Sequence, residues 1–409
     1  MKNTVIVIGG GASGMMAAGI AGSQGNNVIL LEKNDRLCKK IFISGKGRCN
    51  ITNSSPIDEF IENIPGNGHF LYSALYTFSN ENLVEFFEKL GLKTKIERGN
   101  RVFPLSDKSS DVISALTKFI KSYNVQIMLN SEVIELKKES ERFVVSLKYG
   151  QILYCDKLII ATGGMSYPDT GSTGDGYSFA SKFGHKVTPL KPSLVPLISS
   201  NQWIPNLQGL SLKNVSIKLM KNNKKIYTDF GEMLFTHYGL SGPIILSSSR
   251  HLVNVDIQNS DIKLDIDLKP ALTFEQLDKR IQRDFEKYSK KQYKNSLDDL
   301  LPQKLIPIIV ELSEIDPDKV VNQITKLERS KLIDILKNLS VNICGTRPIK
   351  EGIVTCGGIS TNEINPSTME SKLVEGLYFT GEVIDVDGYT GGYNLQIAFS
   401  TGYLAGMNV

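Results

Sequence analysis

The sequence predicts an α/β protein whose buried parallel sheet is assembled from both ends of the chain, around a β-rich insert and a helical segment. Three observations carry this. The run Thr4-Val5-Ile6-Val7-Ile8 is unbroken and apolar and passes through glycines into a helical stretch, as a parallel strand covered on both faces does. The same pattern returns at Leu158-Ile159-Ile160-Ala161 and at Gly376 to Thr380, the latter followed by a helical stretch from Tyr393 to Ala405. Between them, after Gly184, prolines at 189, 192, 196 and 205 mark a crossing into a different composition. With 409 residues, 41% of them hydrophobic and 22% charged, the chain has room for two or three domains, each with its own core.

Taken in order, the strand at Thr4 leads to a helix from Ser13 that Gly25 and Asn26 stop, and Val28 to Leu31 forms a second strand ending at Glu32. Residues 33 to 67 are irregular and rich in Gly, Asn, Ser and Lys, long for a mere connector. Helices follow near 82–90 and 111–123, then strands near 125–128, 132–136, 143–147 and 152–154, the middle ones a small antiparallel excursion. Alternation in Val215 to Leu219 and Ile262 to Leu268 predicts a β-rich insert over 190–272, with Asn222-Asn223 as a hairpin turn. Lys- and Glu-rich helical spacing over 273–340, cut by Pro302, Pro307 and Pro317, predicts a helical subdomain. Residues 1–189 and 341–409 then make one discontinuous domain.

Charge and cysteines exclude several classes. Forty-seven Lys and Arg against forty-three Asp and Glu leave +4, too little to call for a nucleic-acid partner, and none is expected. The basic stretch from Lys279 to Lys294 reads as a solvated helix face or, failing that, an RNA or membrane contact. Cys38, Cys49, Cys155, Cys344 and Cys356 are scattered with no C-x-x-C pair, which supports neither a disulfide framework nor zinc, and no metal is expected. With no secretory h-region and no membrane-length apolar run, a cytoplasmic location and no membrane partner are expected.

Gly9-Gly10-Gly11-Ala12-Ser13-Gly14 satisfies G-x-G-x-x-G in the context that gives the pattern meaning: after a strand, opening a helix, with Glu32 lying 23 positions after Gly9. Gly9 permits the tight turn, Gly11 lets backbone approach a pyrophosphate, and Gly14 lets helix pack on strand. The helix N-terminus attracts phosphate and Glu32 accepts from a ribose. This is a Rossmann-like dinucleotide site, and the pattern alone does not separate NAD from FAD. Ile43-Ser44-Gly45-Lys46-Gly47-Arg48-Cys49-Asn50 is a cationic small-residue loop suited to wrapping a large cofactor, which favours FAD; a mobile basic loop is the alternative. Ala161-Thr162-Gly163-Gly164 closes a buried strand where the backbone turns beside something close, and Tyr167 to Gly176 is either a solvated loop or part of a site.

At the C-terminus, Thr380-Gly381-Glu382, Asp385, Asp387 and Tyr389-Thr390-Gly391-Gly392-Tyr393-Asn394-Leu395-Gln396 open the last helix. This order resembles the strand, Gly-acid and helix closure that completes FAD domains, an arrangement that implies Glu382 on a ribityl hydroxyl and a helix N-terminus favouring the negative charge of a reduced flavin. A glycine-started helix packed on the sheet with no ligand is the alternative. Together with Phe235-Thr236-His237-Tyr238-Gly239-Leu240-Ser241-Gly242-Pro243, these motifs resemble the YhiN/BaiN-like FAD-dependent oxidoreductases, described as aminoacetone oxidases and dehydro-bile-acid reductases, over essentially the whole chain. The resemblance implies noncovalent FAD in a discontinuous domain of the two-dinucleotide type, with an inserted mostly-β domain and a helical cap. It does not transfer a substrate. The expected contact set adds Lys33, Lys40 and Val133 to the motif residues.

The expected activity is hydride transfer between a small organic substrate and flavin N5, with substrate held between the FAD domain and the β insert. The redox partner is O₂ or NAD(P)H; with one dinucleotide fingerprint, NAD(P)H docks only transiently. His237 is a candidate proton donor or acceptor or a structural histidine, and Tyr393 and Asn394 are candidates for the substrate side or for cofactor positioning. Two rival readings are a flavin-dependent tRNA-modifying enzyme and a noncatalytic FAD-binding protein.

Overall fold

The computed structural model describes residues 2–409 and divides the chain into two units, Met1–Ser193 with Ile349–Val409, and Leu194–Pro348. In the first unit, strands β1 (Thr4–Ile8), β2 (Asn27–Leu31), β3 (Gln126–Met128), β4 (Lys157–Ile160) and β5 (Leu377–Phe379) form a parallel sheet in the order β5-β4-β1-β2-β3. Strand order reverses at β1, between β4 and β2. The crevice beyond the carboxyl ends of such strands is where doubly wound sheets bind ligands. Val5, Ile6 and Val7 in β1 and Leu158, Ile159 and Ile160 in β4 are fully buried, as their unbroken apolar runs require.

Helix α1 (Ala12–Ser23) covers one face and is itself apolar all round, because the C-terminal helix lies across it. The helices that follow in this unit include α2 (Lys39–Ile43), α3 (Ser109–Ser122) and the C-terminal α4 (Tyr393–Asn408). Glycines let α1 and α4 approach: a Cβ on Gly402 would sit 2.4 Å from the Ser13 carbonyl oxygen and one on Gly406 2.7 Å from that of Ala17. A three-stranded antiparallel sheet of Val133–Glu139, Arg142–Leu147 and Ile152–Cys155 forms the expected excursion.

The second unit is built on a closed six-stranded antiparallel barrel of Leu197–Ser199, Gly239–Ser241, Lys224–Phe235, Ser211–Lys221, Ile262–Asp267 and Leu339–Thr346, in that order around the wall. Asn222 and Asn223 take φ of 49° and 63° at the tip of its long hairpin, the left-handed pair that a two-residue turn demands. Three boundaries differ from the sequence reading, the first by a few residues, since the first unit runs to Ser193 rather than to 189. Leu339–Thr346 is barrel wall, not part of the domain that resumes at 341, because Val341 and Ile343 fill the barrel interior. The helices Phe274–Lys287, Ile306–Ser313 and Lys326–Lys337 form no separate subdomain: Leu277, Ile309 and Leu332 share one apolar cluster with barrel residues Leu264 and Val341.

Candidate cofactor site

A cavity with about 1310 Å³ of empty space, counted out to its mouth, opens at the carboxyl ends of β1 and β4, and every residue lining it belongs to the first unit. Its middle is the turn after β1. Gly9 sits at φ 107° with its Cα hydrogen against the Ala161 carbonyl, and a Cβ on Gly14 would meet the Gly9 oxygen at 1.8 Å. A Cβ on Gly11 would meet nothing within 4 Å, so the space in front of it is open to a ligand. No side chain caps α1, and the first bond of its ladder is from Met15 N–H to the Gly11 carbonyl. The N–H groups ahead of Met15 are therefore left for an anion.

At one end, Glu32 is 8% exposed and accepts from Gly10 N–H at 2.8 Å, Asn34 N–H at 2.9 Å and the Asn34 amide at 2.6 Å. Lys33 pairs with Asp175 at 2.6 Å, and Asn34 donates to the Thr170 carbonyl at 3.1 Å. These bonds draw the glycine-rich segment after Tyr167 over the cavity, where Thr170, Gly171 and Ser172 line it. Val133 lines this half too, and Ala161, Thr162 and Gly163 form the floor, with the buried Thr162 hydroxyl lacking a hydrogen-bond partner.

At the other end, Lys40 on α2 donates to Glu382 and to Ser166, both at 2.6 Å. Glu382 also accepts from Ser166 Oγ and from Thr355 N–H, each at 2.9 Å. Ser44, Val386, Asn394 and Leu395 complete the wall. Gly392 at φ 104° starts α4, again with no side-chain cap, and Asn394 ties the preceding loop down through Gly388 N–H at 2.9 Å.

Of the residues expected in the site, Gly9, Gly11, Ala12, Ser13, Glu32, Lys33, Lys40, Ser44, Val133, Ala161, Thr162, Gly163, Glu382, Asn394 and Leu395 line the cavity. Gly14 shapes the turn behind it, and Gly381 gives α1 room, since a Cβ there would stand 2.6 Å from Ser13 Oγ. The rest of the cationic loop does not line it. Gly45, Lys46 and Gly47 turn through left-handed conformations, and Arg48 leaves for Glu97 at 2.5 Å and Asp107 at 2.8 Å with its guanidinium 4.0 Å from the Phe103 ring. Cys49 is fully buried, its thiol pushed up to about 12 by that burial, and the Asn50 side-chain oxygen is buried without a partner. Asp387 accepts from the Ser193 hydroxyl at 2.9 Å, and Gly391 and Gly392 pack against the Thr52–Asn53 strand.

Neither proton-transfer candidate lines the cavity. The Tyr393 ring is 6% exposed and packs edge-on against Phe60 at 4.7 Å, which makes it core. His237 lies exposed in a turn of the barrel beside Tyr238. Sequence reasoning missed Asn34, Cys38, Ser172 and Asp175 in the lining, along with Ile353 and Val354. The segment after Tyr167 carried a signal in its glycines. The Ile353–Val354 segment carried none.

An open glycine turn, two uncapped helix starts, a buried acid after β2 and an unpartnered threonine hydroxyl fit a dinucleotide with a second polar moiety. The fold and this site define an FAD-binding flavoprotein of the oxidoreductase class. The chain matches the family model described as "HI0933-like protein Rossmann domain" over residues 3–408 and belongs to that family. It is 34% identical over 406 residues to the 3-dehydro-bile acid delta(4,6)-reductase of Clostridium scindens, covering 99% of this chain and 98% of that one. It is 33% identical over 403 residues to the ribosomal RNA dihydrouridine synthase of Escherichia coli K12, covering 97% and 96%. Among solved structures, the 3-ketosteroid delta1-dehydrogenase of Sterolibacterium denitrificans shares the fold, with a TM-score of 0.53 at 14% identity over 99% of this chain and 98% of that one. Among the described residues, no helix is long and apolar enough to cross a membrane, and no group of His, Cys, Asp or Glu is placed to hold a metal.

Proposed function

We propose that this protein reduces a carbon–carbon double bond conjugated to a carbonyl, drawing electrons from NAD(P)H. The observation that carries the reading is the bond change common to the two relatives' names. A steroid with a 3-oxo group and double bonds at positions 4 and 6 is a conjugated ketone, and the uracil ring has its C5–C6 double bond conjugated to the C4 carbonyl; each gains a hydride and a proton. Bound noncovalently, FAD would supply the hydride chemistry.

The chain's own residues hold, orient and shield. The α1 N-terminus and Gly11 would take the pyrophosphate, and Glu32, with three of a carboxylate's roughly four acceptor positions already used, keeps one for a ribose hydroxyl. Asn394 fixes the start of α4, whose N-H groups favour negative charge at that end of the cavity. Noncovalent binding is supported by the thiols: Cys38, the cysteine in the cavity wall, is buried and its pKa raised by that burial, so it is no thiolate nucleophile.

A small conjugated ketone is the first substrate class. Uridine in structured RNA is the second, favoured by the Escherichia coli relative's name. The test is to reduce the purified holoprotein anaerobically with NADH or NADPH, then offer a 3-oxo-4,6-diene steroid acid in one arm and unmodified ribosomal RNA in the other. Reoxidation of the flavin with formation of the saturated product is expected in one arm. Reduced protein that reoxidises with neither sinks the reading.

A further inference from the structure

The ion pair at the far end of the cavity leaves a donor unspent. Lys40 Nζ has three N–H bonds; one goes to Glu382 and one to Ser166, the third makes no hydrogen bond among the described residues, and the Tyr167 ring centroid lies 6.0 Å from Nζ. Its partners are fixed: Ser166 is fully buried and donates in turn to Glu382, and Thr355 N–H holds the same carboxylate oxygen. Lys40 and Glu382 both line the cavity, as do Asn394 and Leu395 in the first turn of α4, and α4 is a sixteen-residue helix whose N-terminus no side chain caps. Lys33, the cation near Glu32, likewise makes two bonds, to Asp175 and Thr173, so a spare N–H does not by itself single out Lys40. What sets Lys40 apart is that it shares an end of the cavity with the uncapped N-terminus of α4.

We propose that Lys40 contacts the isoalloxazine of bound FAD through that third N–H, and that its charge favours the reduced ring, with Glu382 and Ser166 as the residues that position it. This rests on FAD occupying the cavity, not on the identity of the substrate. Reduction adds negative charge to the ring system, and a preorganised cation in a partly enclosed site stabilises charge that develops beside it. Glu382 opposes this from behind Lys40, so the two substitutions have opposite signs.

The experiment is the two-electron midpoint potential of the bound flavin, measured by dye equilibration on holoprotein of matched FAD content. Lys40→Met/Glu382→Gln removes both charges together and leaves no lone charge in the wall. It is expected to weaken the reduced form relative to the oxidised at least tenfold, about 30 mV more negative for a two-electron couple. Glu382→Gln alone is expected to move the potential the other way, and Lys40→Arg to stay within about threefold of wild type on the same scale. A double variant that holds FAD with its potential unchanged within a factor of two overturns the proposal. So does loss of FAD from both the double variant and Lys40→Arg, which would make Lys40 a prop of the wall. Neither readout involves substrate, so failure here is separate from failure of the reductase reading.

Discussion

At the scale of single residues, the three glycines of the first turn are not equivalent, and their differences are measurable. Gly14 has no room, with a Cβ placed 1.8 Å from the Gly9 oxygen, so Gly14→Ala forces backbone apart at an overpacking cost of about 1–3 kcal/mol and lowers Tm. Gly11 has room and an ordinary φ of −86°, so Gly11→Val folds like the parent and puts its methyls where phosphate would lie. The expected outcome is an unshifted apoprotein melting curve with flavin missing after purification. A Gly11→Val protein with full flavin occupancy contradicts the site. Glu32→Ala removes a charged acceptor that also holds Gly10 and Asn34. At about 1.5–3 kcal/mol for a hydrogen bond to a charged group, FAD should bind roughly ten- to a hundredfold more weakly by fluorescence titration.

At the scale of elements, the contact between α1 and α4 couples stability to the cavity, whereas the caps of the second unit do not. Gly402→Val presses on the Ser13 carbonyl, and Ser13 lines the cavity, so this variant should lose both thermal stability and FAD affinity. Thr325→Ala breaks a reciprocal cap, in which Glu328 N–H donates to Thr325 Oγ1 at 3.3 Å and Thr325 N–H to Glu328 Oε2 at 2.7 Å. It should cost about 1 kcal/mol in denaturant unfolding and leave FAD affinity untouched. Elements such as these were legible where the signal is local: the β1-turn-α1 unit, the Asn222-Asn223 hairpin and the final helix each follow from patterns within thirty residues. Barrel closure was not, because it depends on the three-residue strands Leu197–Ser199 and Gly239–Ser241, too short to show a period. The cationic loop misled for a related reason. In sequence Arg48 belongs to a cationic loop suited to wrapping a cofactor, but its partners Glu97 and Asp107 lie 49 and 59 positions away and no local pattern announces them.

At the scale of the whole molecule, the division of labour between the two units is itself testable. The second unit leaves and rejoins the first through neighbouring strands: Leu197 is paired with Thr346 on its side, and Ser193 with Val354 on the other. A segment whose two ends emerge side by side can be excised without stretching what remains, and a few Gly and Ser residues at about 3.3 Å each span the gap between Ser193 and Ile349. All cavity-lining residues lie in the first unit, and its apolar cluster is distinct from the one that fills the barrel. A chain with residues 194–348 replaced by such a linker should therefore fold, take up FAD and turn yellow. Added FAD should raise its melting temperature by ligand linkage, worth about 2.7 kcal/mol at a free concentration one hundred times Kd. A soluble but colourless protein whose melting temperature ignores FAD would mean that the second unit contributes to holding the cofactor, and the assignment of the site to the first unit alone would fall.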